Sequence, residues 1–177
     1  MNRKVNGFTL VELVVVIAIL GALAGLLVPS MLGYVFKAKV SAVNSNARNL
    51  SKAAITSLTE LDTEGIALPA KDFVWEKDLA DGWDNHTNTT AEAAMASKIR
   101  KYFSGVEKLD GASYRVSTNS VVATAVEDNS TYGSYPNKTQ ESQTESGYAK
   151  NDILFSFESQ KGQSRLLDWA QTGEISS

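Results

Sequence analysis

Residues Phe8 to Phe36 form a run without any charged side chain except Glu12. That run constrains the chain more than any other feature. As a helix its roughly 29 residues would extend about 43 Å, longer than a bilayer hydrocarbon core of about 30 Å. A charged carboxylate is costly in hydrocarbon, so Glu12 must find a partner or stay at the membrane surface. The run predicts a membrane-spanning helix with one polar position that needs an explanation.

The residues ahead of it, Met1-Asn-Arg-Lys-Val-Asn-Gly7, form a short polar leader with two positive charges. By the positive-inside rule this end stays in the cytoplasm. A secretory signal peptide is one alternative, with Ala22-Leu23-Ala24 as its cleavage site. The apolar run, however, continues through Leu26-Leu27-Val28, and Glu12 interrupts what would be the apolar core of such a signal. A plain membrane anchor is the other alternative, and it leaves Glu12 without a purpose.

Lys4-Val-Asn-Gly7 followed by Phe8-Thr-Leu-Val-Glu12, with Gly21 and Pro29 further along, resembles the type IV prepilins. The resemblance covers about the first 35 residues and is architectural beyond them. It implies a membrane-embedded prepilin peptidase that cuts after Gly7 and methylates the new amino-terminal Phe8. It also implies assembly roles for Glu12 and for the helix-kinking Pro29. An assembly ATPase and a membrane platform protein are the further partners it suggests.

The residues support a physical account of the same positions. Cutting after Gly7 creates a positive amine about four residues from Glu12, and a buried ion pair serves register better than raw stability. Parallel helices staggered along a filament could set the amine of one subunit against Glu12 of another. Pro29 lacks a backbone donor and its ring would crowd the carbonyl of Gly25, so a kink or local melting is expected. Gly21-Ala-Leu-Ala-Gly25 fits a GxxxG spacing for close helix approach, with general helix flexibility as the bland alternative.

From Phe36 the pattern turns amphipathic. Phe36, Val40, Val43, Ala47, Leu50, Ala54, Leu58 and Leu61 recur every three or four residues, while Lys37, Lys39, Ser41, Asn44, Asn46, Arg48, Asn49 and Lys52 lie between them as groups suited to water or neighbouring subunits. A coiled-coil dimer is the alternative for this stripe, but it lasts under about four heptads and lacks regular flanking charge pairs. The expected organisation is a leader over 1–7, an apolar membrane and filament-core helix over 8–36, an amphipathic helix half over 37–61, and a globular head over 62–177.

Within the head, Thr89-x-x-Glu92 reads as a capping box opening a second helix with Met95, Ile99, Tyr102 and Phe103 on its apolar face and Gly105 at its end. Ala112, Tyr114 and Val116 alternate with Ser113, Arg115 and Ser117, and with Val121 to Val126 they predict an antiparallel hairpin. Ile153, Phe155 and Phe157 suggest a third strand, and Arg165 to Ala170 a fourth. The stripe on the long helix is the natural cover for their apolar faces. The fold class is therefore α+β: a long amino-terminal helix, half membrane-spanning and half amphipathic, packed on a small antiparallel sheet in a pilin-like head. Residues 127–150 are polar, with Tyr132, Tyr135 and Tyr148 interspersed, and read as a loop that is either a contact surface or simply solvated.

Several function classes find little support. Cysteine is absent, so no disulfide staples the head. That departs from many Gram-negative pilins and, under the resemblance, points to a Gram-positive source. The formal charge is −3, falling to −5 once Arg3 and Lys4 leave with the leader. This balance opposes nonspecific DNA binding, and no direct nucleic-acid contact is expected. His86 is the single histidine and no nucleophile motif surrounds it, so no catalytic residue and no cofactor are expected. Asp78, Asp81, Asp84, Asn85 and His86 cluster, but their spacing misses the EF-hand loop and reads as turn chemistry, so no metal is expected. Asn-x-Ser/Thr triplets at Asn49, Asn85, Asn88, Asn129 and Asn137 are attributed to composition.

The expected function is a structural subunit of an extracellular type IV filament made of copies of this chain. It would be held first in the cytoplasmic membrane and then displayed at the cell surface for adhesion, motility or biofilm formation. A pseudopilin of a type II secretion system and a minor, tip-located adhesive pilin are the alternatives. Asp81-Gly-Trp-Asp84-Asn partly resembles a pseudopilin motif, without the calcium-site tail of that group.

Overall fold

The computed structural model describes residues 8–76, 89–139 and 160–173. Helix α1 covers Leu10–Thr63, and the chain divides into two compact units between Ala38 and Lys39. In the first unit, the helix turns its large apolar side chains outward all round, from Leu10 to Val35. The stretch Leu10–Val28 is long and apolar enough to cross a membrane. An apolar surface of that extent calls for lipid or for other copies as its solvent. The backbone stays helical through Pro29, so no local melting accompanies that residue.

In the second unit, the sequence stripe becomes the floor of the core. Val40, Val43, Ala47, Leu50, Ala54, Leu58 and Leu61 are all buried, as the 3.6-residue period requires, and Phe36, in the first unit, is half-buried. Val43, Ala47, Leu50, Ala54, Leu58 and Leu61 meet a four-stranded antiparallel meander: β1 (Asp72–Glu76), β2 (Gly111–Ser117), β3 (Ser120–Asp128) and β4 (Thr131–Tyr135), in that order across the sheet. Ala112, Tyr114, Val116 and Val126 face this core together with Met95 and Ile99 of helix α2 (Thr90–Tyr102). The Tyr114 ring stacks on Phe73, its register partner in β1, with centroids 4.8 Å apart. The alternation of β2 places Ser113 and Arg115 on the opposite face.

That opposite face has its own cover. Helix α3 (Gln160–Thr172) packs Leu166, Leu167 and Ala170 onto Ala123 and Ala125, with Val74, Tyr132 and Trp169 at the margin. Residues Arg165 to Ala170, expected as a strand, are therefore helical. Leu166 and Ala170 are one helical turn apart and share a face with Leu167, a spacing that a six-residue window does not separate from strand character. The sheet is thus packed between helices on both faces, not merely laid against one.

Two further expectations change. Thr131–Tyr135 belongs to β4, so the polar segment from 127 is strand to Asp128, turn at Asn129-Ser130, and strand again to Tyr135. Both residues of that turn, like Thr118 and Asn119 between β2 and β3, have positive φ, the geometry whose twist suits a two-residue hairpin link. Gly105 does not end α2, because Phe103 is its carboxyl cap and Gly105 lies within the 3-10 turn Ser104–Lys108 beneath the Phe103 ring. The opening of α2 is as expected, with Thr89 Oγ1 accepting from the Glu92 amide at 3.3 Å. The Glu92 carboxylate pairs with Lys71, 2.7 Å away. Tyr102, expected on the apolar face, is exposed and donates its hydroxyl to Glu60. The strand expected at Ile153 to Phe157 lies outside the described residues, as does Tyr148.

Asn44 is the largest departure within α1. Expected among the water-facing groups, it is 7% exposed and binds the sheet. Its Oδ1 accepts from the backbone amides of Ser134 at 3.0 Å and Thr139 at 3.1 Å, while its Nδ2 donates to the Thr139 carbonyl at 3.0 Å. Gly133 makes this approach possible. A Cβ there would stand 2.4 Å from the Val43 carbonyl carbon and 2.6 Å from the Asn44 nitrogen, so helix and strand backbones are in direct contact. Thr124 Oγ1, donating to the Ala47 carbonyl at 2.9 Å, adds a third tie along the same helix edge.

Candidate assembly site at the start of the long helix

A helix leaves its first amide donors without intrahelical partners, and Thr9 and Glu12 together satisfy two of them. Thr9 Oγ1 accepts from the Glu12 amide at 3.2 Å. In return, Glu12 Oε2 accepts from the Thr9 amide at 2.9 Å and from the Thr9 hydroxyl at 2.7 Å. This is a reciprocal capping box, the Thr-x-x-Glu arrangement that stands in the sequence as Thr9-Leu-Val-Glu12. Thr9 is therefore a member of the site that the sequence reading omitted.

The box changes what Glu12 can do. Both acceptor contacts fall on Oε2, and Oε1 makes no hydrogen bond among the described residues. The carboxylate is held by its own helix and still presents one oxygen outward, in an exposed position. Both Thr9 donors lie after the Gly7–Phe8 bond, so the box does not depend on the leader. Phe8, immediately before the box, is 85% exposed.

Of the other expected site residues, Gly7 lies outside the described residues. Gly21 lies in the exposed part of α1, and a Cβ there would meet nothing within 4 Å in this chain; the same holds for Gly25 and Gly33. Pro29 lies about 17 residues, near 25 Å of helix, beyond Glu12. Within one chain these residues are strung along a single helix and do not converge. Among the described residues, no group of three or more His, Asp or Glu side chains is placed to hold a metal. Asp78, Asp81, Asp84 and His86 lie outside them.

Residues 2–28 match the family model of the prokaryotic N-terminal methylation motif. The chain carries the type IV prepilin signal. Neither a curated protein nor a solved structure matches the chain. The prepilin signal supports a type IV pilin-like or pseudopilin precursor, a structural class rather than an enzyme family. It implies processing by a prepilin peptidase, and with the apolar helix it indicates membrane insertion. The α+β head, with a long apolar helix followed by a helix and a small antiparallel sheet, is the pilin-like architecture.

Proposed function

We propose that this chain is the structural subunit of a type IV pilus. It is cut after Gly7, N-methylated at Phe8, held in the cytoplasmic membrane by Leu10–Val28, and then moved into an extracellular helical filament of identical copies. The observation that carries this reading is the methylation motif over residues 2–28, with Glu12 as the one charge between Phe8 and Phe36. The free Oε1 of Glu12 suits the new amine of a neighbouring copy, so that two costly charges neutralise one another in an apolar bundle. Gly21 suits close helix approach, and Pro29 removes one helix hydrogen bond where the rod must bend. An assembly ATPase and a membrane platform protein supply the work of extraction, and the fibre serves adhesion, motility or biofilm formation.

Mass analysis of the mature subunit tests the processing. The expected product begins at N-methylated Phe8. Electron microscopy with immunogold labelling tests the assembly, and gold along the full length of long surface fibres is expected. Short fibres accompanied by a secretion defect indicate a pseudopilin instead, and gold confined to one tip indicates a minor adhesive subunit. Glu12→Val is expected to leave cleavage and membrane insertion intact while abolishing filaments. Normal filaments from that variant would remove the role given to Glu12.

A further inference from the structure

We propose that Arg48 and Lys52 form a docking surface for the acidic carboxyl end of α1 in a second copy of this chain. The proposal rests on the filament reading and specifies a contact within it.

Charge is segregated along this sequence. Between Leu13 and Thr59 there is no carboxylate, while Lys37, Lys39, Arg48 and Lys52 are all cationic. From residue 60 onward, nineteen carboxylates face eleven Lys and Arg side chains. Arg48 and Lys52 are both exposed and stand one turn apart on α1, a like-charge i,i+4 pair that weakens its own helix. The end of the same helix has the opposite fault. Glu60, Asp62 and Glu64 gather where the helix dipole is already negative, and the last turn holds no basic residue. Lys98 bridges Glu60 at 3.0 Å and Glu64 at 2.7 Å, and Lys101 acts on Glu60 from further off. Among the described residues, the exposed Asp62 carboxylate meets the Asn119 amide, at 3.2 Å, and no cation.

The Arg48–Lys52 pair repels itself within one chain, and Asp62 is the carboxylate of the acidic end that no cation bridges among the described residues, so each patch would be relieved by the other. They are separated by about 12 helical residues, or about 18 Å. A neighbour displaced along the helix axis by about that distance brings its Glu60 to Glu64 end against Arg48 and Lys52. Because the two patches differ the contact is heterologous, and because the neighbour is displaced along the axis it repeats without closing into a ring, which is the symmetry a fibre requires. Complementary charge of this kind fixes register and suppresses wrong alignments more than it adds affinity.

Charge reversal in the full-length chain, with the wild type expressed alongside it, tests this. Arg48→Glu with Lys52→Glu is expected to lower filament yield about tenfold, and Asp62→Lys alone to lower it less, while the combined variant recovers part of the loss of the double reversal, because residue 62 then offers a cation to the reversed pair while Glu60 and Glu64 stay negative. Thermal unfolding in detergent checks that every variant folds. If the wild type makes filaments and the folded reversals assemble as well as it does, the docking contact is overturned and the filament reading stands. If the wild type makes none, both fail. A combined variant no better than its worse parent also overturns the contact. So does loss of binding to phosphatidylglycerol vesicles in the Arg48→Glu/Lys52→Glu variant that Asp62→Lys leaves unrestored, which would assign the cations to lipid.

Discussion

Replacing Asn44 by alanine removes a side chain that holds helix, strand and the following segment together. The loss can be worked from its partners. Three backbone groups lose their hydrogen bonds: the Ser134 amide, the Thr139 amide and the Thr139 carbonyl. The Thr139 hydroxyl is discounted, because its single proton goes to the Tyr132 carbonyl at 2.6 Å in preference to Asn44 Oδ1 at 3.0 Å. Each buried group left unpaired costs about 1–3 kcal/mol, so Asn44→Ala is expected to lose about 3–5 kcal/mol after partial relief by water. That is a large share of the ordinary stability of a domain, about 5–15 kcal/mol. The assay is urea unfolding of the full chain in detergent, followed by tryptophan fluorescence, with Ser45→Ala on the exposed face as a control expected to change stability by under about 0.5 kcal/mol. A loss below about 1 kcal/mol for Asn44→Ala, with an unchanged slope, would refute the view that this amide joins α1 to β4.

Gly133→Ala is expected to cost at least about 1–3 kcal/mol in the same assay, because the new methyl meets the α1 backbone and not a movable side chain. Arg115 ties β1 and α3 to β2, with Asp72 at 2.6 and 2.9 Å and Asp168 at 2.6 Å. The Asp72 bond first, and then Asp168, raise its pKa against the opposing effect of burial, so it stays charged at every pH of interest. Arg115→Lys is expected to lose about 1–2 kcal/mol, discounted for partial exposure, and to loosen α3 as judged by hydrogen exchange. Hydrogen bonding from Tyr102, and then from Lys98, lowers the pKa of Glu60. Its contribution is therefore present above the ordinary carboxylate range and lost as pH falls through the depressed value. Lys98, raised by Glu64 and then Glu60, acts in the opposite sense: its contribution holds below the ordinary lysine value and fades as pH rises through the raised one. Tyr102→Phe should thus narrow the gap in melting temperature between pH 7 and pH 3, and an unchanged gap would contradict the assignment.

What was legible in the sequence followed from local periodicity and local chemistry. The apolar run, its lone carboxylate and the 3.6-residue stripe describe α1, because a helix displays its pattern along its own length. The Thr89 cap and the alternation in β2 and β3 are signals of the same local kind. Thr9 belongs with them, since the capping box is written in four consecutive residues. The residues proposed for assembly, Glu12, Gly21 and Pro29, stand out in the sequence for the same reason, being strung along one helix.

Tertiary contact decided the rest. Asn44 looks like any surface asparagine until the sheet delivers two amides and a carbonyl to it across some 90 residues of sequence. Gly133 resembles a loop glycine until a helix backbone presses on the strand it occupies. Leu166 to Ala170 are apolar enough for strand or helix, and their fate was set by the second face of the sheet, which needed a cover that the sequence pattern did not assign. A short segment carries its own propensity but not the identity of the surface that will exclude water from it, and only the assembled fold supplies that surface.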